Sequence, residues 1–194
     1  MLSSNVFSRD GVILNACCLL NIYASGHMDT ILKTLPIPIM IASYVYEQEP
    51  LRIPCNVKGG EGLADVQVDL QPFLTAGLLV MVSPTSEAEL TSMINLAAVL
   101  PEDGEAITAA LALHRRWAIG VDGLATISLL RRHIPDVQLI STPVLIKKWV
   151  DRSRPPSHVI RAVLQNVQRS TGYAPSTHHL LYLWWREVLG TEKN

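Results

Sequence analysis

Short, continuous runs of apolar residues recur along the chain, separated by segments in which apolar positions have helical spacing. A continuous apolar run of four to eight residues is typical of a strand buried on both faces of a parallel sheet. The first run contains Val12 and Leu14 and ends on the polar Asn15. The pattern predicts five such strands, over residues 11–14, 37–41, 78–82, 118–121 and 137–140.

The segments between these runs favour helices. Gly26 is a good residue to end the first helix, and Pro36 and Pro50 stop the next two. Ser43 and Thr142 are predicted to cap helices. The predicted helices cover residues 16–25, 29–35, 44–49, 70–76, 87–100, 104–116 and 124–133, with another after Thr142. Strands that alternate with helices predict an α/β fold with a parallel central sheet covered on both faces.

Two segments have patterns of their own. Residues 51–69 alternate loosely around three glycines, and both a β-hairpin and a loop excursion fit them. The helix over residues 87–100 carries Leu90, Ile94 and Ala97 on one face.

The rhythm of the chain changes from residue 152, after which two helices, 157–169 and 176–189, follow without a strand. The first has an apolar stripe, made by Val159, Ile160, Val163, Leu164 and Val167. We therefore expect one domain over residues 1–150. Residues 151–194 would form a C-terminal helical extension that packs on this domain or at a dimer interface.

Composition supports a folded domain, because 48% of the 194 residues are hydrophobic and 17% are charged. No apolar stretch reaches the roughly 20 residues of a spanning helix, and the start lacks a basic region followed by an apolar one. The three cysteines have no CxxC spacing and are expected to be free thiols. These features predict a cytoplasmic protein that does not enter a membrane.

Charge is distributed unevenly along the chain. Residues 1–110 carry 4 Lys and Arg against 12 Asp and Glu, whereas residues 111–194 carry 12 against 5. An acidic half beside a basic half suits a site that holds cations next to a surface that attracts phosphates. Two ordinary solvated faces would give the same counts.

Four oxygen-bearing side chains are predicted to meet where the parallel strands end, which is where ligands bind in open α/β sheets. Asn15 ends the first strand, Glu47 lies on the helix after the second, Glu105 begins a helix, and Asp122 follows the fourth strand. Clustered carboxylates repel one another unless a cation joins them. The sequence therefore predicts a site for Mg²⁺ or Mn²⁺, the cations that prefer oxygen ligands.

Five segments, taken in order, resemble the motifs of PIN nuclease domains. They are the strand and Leu-rich helix around Asn15 (12–26), the helix with Glu47 (42–47), a Gly-Glu pair before an Ala-rich helix (103–114), the strand that leads to Asp122 (118–125), and a closing strand with a Thr-containing turn (137–145). The resemblance spans about residues 11–150.

The resemblance implies a PIN-like three-layer α/β/α sandwich with a parallel central sheet, to which the C-terminal helices are added. It also implies Mg²⁺- or Mn²⁺-dependent cleavage of RNA, with Glu47, Glu105 and Asp122 holding the metal. Similar proteins include the VapC-type toxins of toxin–antitoxin pairs, which commonly form homodimers and bind a small antitoxin. Basic residues that would steer the RNA backbone are Arg115, Arg116, Arg131 and Arg132.

Two positions depart from the PIN pattern. Asn15 stands where the family has an aspartate, so one negative charge is missing, and Gly123 replaces the second of an aspartate pair. Asp103 lies close enough in sequence to Glu105 to compensate in part. Two explanations of Asn15 are open: a natural residue that gives a weak or inactive nuclease, or an engineered change that silences a toxic enzyme. Three hypotheses stay open: a weakened or silenced ribonuclease, an inactive PIN-fold binding or regulatory protein, and an α/β protein without nuclease ancestry.

Overall fold

A computed structural model describes residues 7–56 and 63–190, and its centre is a five-stranded parallel sheet with the order β5-β2-β1-β6-β7. Strand β1 pairs with β2 and β6, with Ile13 opposite Met40 and Ile119. The strands of this sheet are β1 (Val12–Leu14), β2 (Ile39–Ala42), β5 (Val80–Val82), β6 (Ala118–Gly120) and β7 (Leu139–Ile140). They lie within the five predicted segments, except that β2 runs one residue further.

Ten helices occur among the described residues and cover both faces of the sheet, which confirms the three-layer α/β/α architecture. Helix α6 contacts β1, β2 and β6, and α3 and α5 pack against it. Helices α1, α2, α8 and α9 form a second group, in which α1 contacts the other three. The helices are α1 (Ala16–Ala24), α2 (Met28–Thr34), α3 (Ser43–Gln48), α4 (Gln71–Thr75), α5 (Glu87–Ala97), α6 (Asp103–Arg115), α7 (Leu124–His133), α8 (Thr142–Ser153), α9 (Ser157–Thr171) and α10 (Tyr182–Leu189).

A β-hairpin stands apart from the central sheet. Strands β3 (Arg52–Asn56) and β4 (Leu63–Gln67) pair in antiparallel register, with Arg52 opposite Gln67. The hairpin reading of residues 51–69 is therefore right, although residues 57–62 lie outside the described part. Strand β3 packs against α1 and α9, which places the hairpin beside the edge where the parallel strands end. We call this edge the carboxyl edge.

Two predicted helix caps are wrong. Ser43 is the first residue of α3, and its hydroxyl lies 2.7 Å from the Ser83 hydroxyl, so it does not cap the helix. Thr142 is the first residue of α8, whose N-cap position is Ser141. The Thr142 hydroxyl instead donates a hydrogen bond to Asp122. In both cases the hydroxyl that was predicted to cap the helix forms its hydrogen bond with a residue from a distant part of the chain.

Two of the three residues on the predicted apolar face of helix α5 are turned toward solvent, since Leu90 is 46% exposed and Ile94 is 65% exposed, whereas Ala97 packs against the core. The buried residue of its first turn is Glu89, which completes a capping box with Ser86. Two hydrogen bonds from the Arg115 guanidinium, of 2.6 and 3.2 Å, reach the Glu89 carboxylate. The bond from Arg115 is the main reason that the pKa of Glu89 falls to about 2.

The C-terminal helices pack on the rest of the molecule. Helix α9 contacts α1, and Val163, Leu164 and Val167 of its apolar stripe are fully buried. Helix α10 rests on α9 and begins at Tyr182, later than the sequence pattern predicts, because residues 177–181 form a turn. Within residues 7–56 and 63–190, no helix combines the length and apolar character that crossing a membrane requires.

Candidate functional site

Asn15 caps the first helix of the domain. Strand β1 ends one residue earlier, and Asn15 has an extended backbone with its N–H donating to the Gly120 carbonyl at 3.0 Å. Its side-chain Oδ1 accepts a hydrogen bond from the Cys18 N–H and another from the Cys17 thiol, both at 3.1 Å. Asn15 is almost completely buried, at 4% exposure. The oxygen that was predicted to bind metal is therefore held by the start of α1.

Asp122 lies at the carboxyl edge, as predicted, and both of its oxygens have hydrogen-bond partners. Oδ1 accepts from the Thr142 N–H at 2.9 Å. Oδ2 accepts from the Asn21 side-chain amide at 2.9 Å and from the Thr142 hydroxyl at 2.5 Å. Three donors from α1 and α8 thus hold the carboxylate, and it ties two helices to the end of β6. We call Asn21, Asp122 and Thr142 the Asp122 end of the edge.

An open cavity of about 540 Å³ adjoins the Asp122 end. Its lining includes Cys17, Tyr173, Arg52 of the hairpin and Arg169 near the end of α9. Burial raises the pKa of the Cys17 thiol, and the negative charge of Asp122 raises it further. The pKa of the Tyr173 phenol rises for the same two reasons. Both groups therefore stay protonated near neutral pH, and neither is an activated nucleophile.

Glu105 is anchored by only one of its two oxygens. The Thr126 hydroxyl, in the first turn of α7, donates to Oε1 at 2.7 Å. The other oxygen, Oε2, is buried and has no hydrogen-bond partner. Burial raises the pKa of Glu105 although the bond from Thr126 works in the opposite direction. A buried carboxylate oxygen without a donor is costly, and a cation is one partner that would satisfy it.

Glu49 is the acid that accompanies Glu105, and the sequence prediction did not include it. Its Oε1 lies against the Cα of Gly104, where a Cβ atom would overlap with it. Burial, together with the charges of Glu102 and Glu105, raises the pKa of Glu49 to about 7. The contact explains why the first residue of the Gly-Glu pair is a glycine: a side chain at position 104 would occupy the space that the Glu49 carboxylate fills.

The two remaining predicted acids, Glu47 and Asp103, do not contact Glu105 among the described contacts. Glu47 is exposed on the last turn of α3, and no described contact joins it to the other acids. Asp103 is exposed and accepts a hydrogen bond of 3.3 Å from the Tyr44 hydroxyl. A signal for Glu49 was present in the sequence. It lies four residues after Val45, which is fully buried, and so shares its side of the helix.

Glu49, Glu102, Glu105 and Thr126 form the Glu105 end of the edge. It and the Asp122 end flank the start of α7, but no described contact joins Asp122 to Glu105 or Glu49. Among the described residues, no three Asp, Glu, His or Cys side chains are grouped so that they would hold a metal ion. Glu49 and Glu105 fit one hard divalent cation by their chemistry, and the set does not extend to a cage of three acids.

The four arginines predicted to steer RNA differ in whether their side chains already have partners within the protein. Arg115 is occupied by Glu89 and also donates to the Ser83 carbonyl at 2.7 Å, so it serves the fold. Arg116 adopts a left-handed backbone (φ 56°) at the end of α6. Arg131 and Arg132 are exposed on the last turn of α7.

A serine and a histidine lie together at the end of β7, which the sequence patterns did not indicate. His179 Nε2 lies 2.7 Å from the Ser141 hydroxyl, and its Nδ1 accepts the Leu181 N–H at 3.0 Å. Because Nδ1 is an acceptor, the neutral ring carries its proton on Nε2 and donates it to Ser141. This is the wrong tautomer for a base that activates serine. The pair instead fastens the turn before α10 to the sheet.

No known family profile matches the chain, and no curated protein matches it either.

Proposed function

We propose that this protein is a PIN-type, metal-dependent ribonuclease whose site is weakened at Asn15. The observation that carries the proposal is the Glu105 end, where a buried carboxylate oxygen lacks a donor beside the second acid, Glu49. Clustered, partly buried acids with raised pKa values are typical of functional sites. Their position at the carboxyl edge is where parallel α/β sheets bind ligands.

The chain's own residues support this chemistry in distinct ways. Thr126 fixes one oxygen of Glu105 and so orients the other, while Gly104 leaves the space that Glu49 occupies. A Mg²⁺ or Mn²⁺ ion held by Glu49 and Glu105 would supply positive charge that makes water more acidic and neutralises a phosphodiester. Asn15 adds no charge, so metal affinity should be lower than with an aspartate.

A second function is an inactive PIN-fold protein that binds RNA or regulates a partner. Two observations favour it. The Asn15 oxygen is already used by the start of α1, and both oxygens of Asp122 are used by Thr142 and Asn21. These residues act as structural anchors, which leaves only the acids of the Glu105 end as candidates for binding a metal.

The proposal extends to partners and place of action. A toxin of this type would bind a small antitoxin and act on RNA in the cytoplasm. The exposed apolar side chains Leu90 and Ile94 on α5 support a homodimer, because such a patch is usually covered by another surface.

The deciding experiment is the substitution Asn15→Asp, assayed on single-stranded RNA with Mn²⁺. Aspartate caps helices as well as asparagine does, and the helix N-terminus favours its charge, which offsets part of the cost of burying a carboxylate at a position only 4% exposed. A thermal melt checks that the variant folds, and the folded variant gains one negative charge at the edge. We expect Mn²⁺-dependent cleavage to rise by roughly tenfold or more, the scale of changes around metal sites. The rise should disappear when Glu105→Gln is added.

Asn15→Ser provides the control, since serine also caps the helix but adds no charge. It should cleave no faster than the parent protein. If the Asn15→Asp variant folds, binds no Mn²⁺ by calorimetry and leaves RNA intact, the ribonuclease proposal is wrong and the binding function stands.

A further inference from the structure

The cavity beside the Asp122 end has three walls from separate parts of the chain. One wall is α1, with Leu20 and Asn21, and a second is the hairpin, with Arg52 and Pro54. The third is the end of α9 and the residues after it, which bring Arg169 and Tyr173. Its volume of about 540 Å³ lies within the usual range for small-molecule sites, roughly 300–1,000 Å³.

Positive charge exceeds negative charge in the described lining of this cavity, where two arginines accompany one carboxylate. Arg52 and Arg169 are exposed, and within the described part of the chain neither guanidinium group forms a hydrogen bond or ion pair. Asp122 is the one carboxylate in the described lining, and donors from Asn21 and Thr142 already hold it. Two free guanidinium groups on separate elements can contact one phosphate from two sides.

The rest of the lining is suited to a flat, partly apolar group. Leu20, Pro54 and Tyr173 present apolar surface, and an aromatic ring can pack against a base. We propose that this cavity binds a nucleoside monophosphate, with Arg52 and Arg169 at the phosphate and Leu20, Pro54 and Tyr173 beside the base. The inference rests on the proposed function for one source of this ligand, a terminal nucleotide of RNA. A free nucleotide is the other source.

The test measures binding in EDTA, so that no metal-dependent reaction contributes. AMP, adenosine and a 5′-phosphorylated RNA oligomer are titrated into the full chain by calorimetry. We expect AMP to bind at least about tenfold more tightly than adenosine, the worth of a charge-assisted contact. Both phosphorylated ligands should lose about tenfold or more in the variant R52Q/R169Q. The matched control is R154Q, which removes an exposed arginine at the end of α8, outside the lining of the cavity, and should bind like the parent.

The two sources give different results. Tighter binding of the phosphorylated oligomer than of AMP identifies the RNA end, and equal binding of the two identifies a free nucleotide; both support the site. Equal affinity of AMP and adenosine overturns the proposal, as does a double variant that melts like the parent protein and still binds AMP unchanged. A loss of the same size in R154Q also overturns it, because the attraction would then come from the general positive charge of the protein. The ribonuclease proposal fails separately, through absent cleavage with Mn²⁺.

Discussion

The two ends of the carboxyl edge differ in how many hydrogen-bond donors their carboxylates have. At the Asp122 end, three donors satisfy one acid, and that acid holds α1 and α8 against β6. At the Glu105 end, one donor serves Glu105, and two further acids, Glu49 and Glu102, add their charges nearby. The comparison separates acids that stabilise the fold from acids that are held at a cost. Acids of the second kind are relieved by taking up a proton, and a bound cation would have the same effect.

The largest expected effect is at the Asp122 end. Asp122→Ala leaves the Thr142 N–H, the Thr142 hydroxyl and the Asn21 amide without their acceptor, so the free energy of unfolding should fall by about 2–4 kcal/mol. Urea denaturation measures it. Asp136→Ala, at an exposed position, should stay within about 0.5 kcal/mol of the parent. Equal, small effects of the two substitutions would remove the contrast between the ends.

A stabilising substitution is expected at the Glu105 end. The pKa of Glu49 is about 7 in the folded protein and about 4.3 in an unfolded chain. Between these values the folded state holds a proton that the unfolded state has released, so stability falls as pH rises through this window. Glu49→Gln removes the charge and should raise the free energy of unfolding at pH 8 by about 1–2 kcal/mol, allowing for solvent screening.

Near pH 4 the same substitution should have a much smaller effect, because Glu49 is then fully protonated in the folded state and mostly protonated in the unfolded chain. Glu47→Gln is the control, as it changes an exposed glutamate two residues away. Thermal unfolding of both variants across pH 4–8 checks this. A Glu49→Gln variant with the same pH dependence as the parent contradicts the assignment of Glu49 to the Glu105 end.

The smallest expected change in the free energy of unfolding is that of Gly104→Ala, which tests whether Glu49 lies against Gly104. In Gly104→Ala the new Cβ would overlap with Glu49 Oε1 and approach Val45 Cγ2 to 3.1 Å, so the carboxylate must move toward water. The helix propensity of alanine offsets part of the strain, and the net change in stability should stay within about 1 kcal/mol. In a double-mutant cycle with Glu49→Gln, the stabilisation at pH 8 should largely vanish. Additive effects would show that Glu49 does not lie against Gly104.

The sheet and most helices could be predicted from sequence because their signals are local. A short apolar run that ends on Asn15 or Asp122 identifies a buried strand, and Gly26 or Pro50 identifies the end of a helix. Helix α5 shows the limit. Its apolar spacing is real, but the buried residue of its first turn is Glu89, whose partner Arg115 lies 26 residues away.

The candidate site was harder to predict for the same reason. Asn15, Glu105 and Asp122 follow directly from strand and helix ends, so the sequence placed them at the edge. Glu47 and Glu49 are only two positions apart, so the sequence pattern did not separate them. In the folded protein it is Glu49 that lies against Gly104, a contact between residues 55 positions apart in the chain. The Asp122 donor Asn21 lies 101 residues away in the chain, beyond any local pattern.

Asn15 has a consequence for how this protein can change over generations. Its duty at the start of α1 is met equally by asparagine and aspartate, whose codons differ only in their first base. A single nucleotide change can therefore alter the charge of the edge while α1 keeps its cap. A form with asparagine and a form with aspartate at position 15 are therefore close genetic neighbours that differ in the charge of the edge.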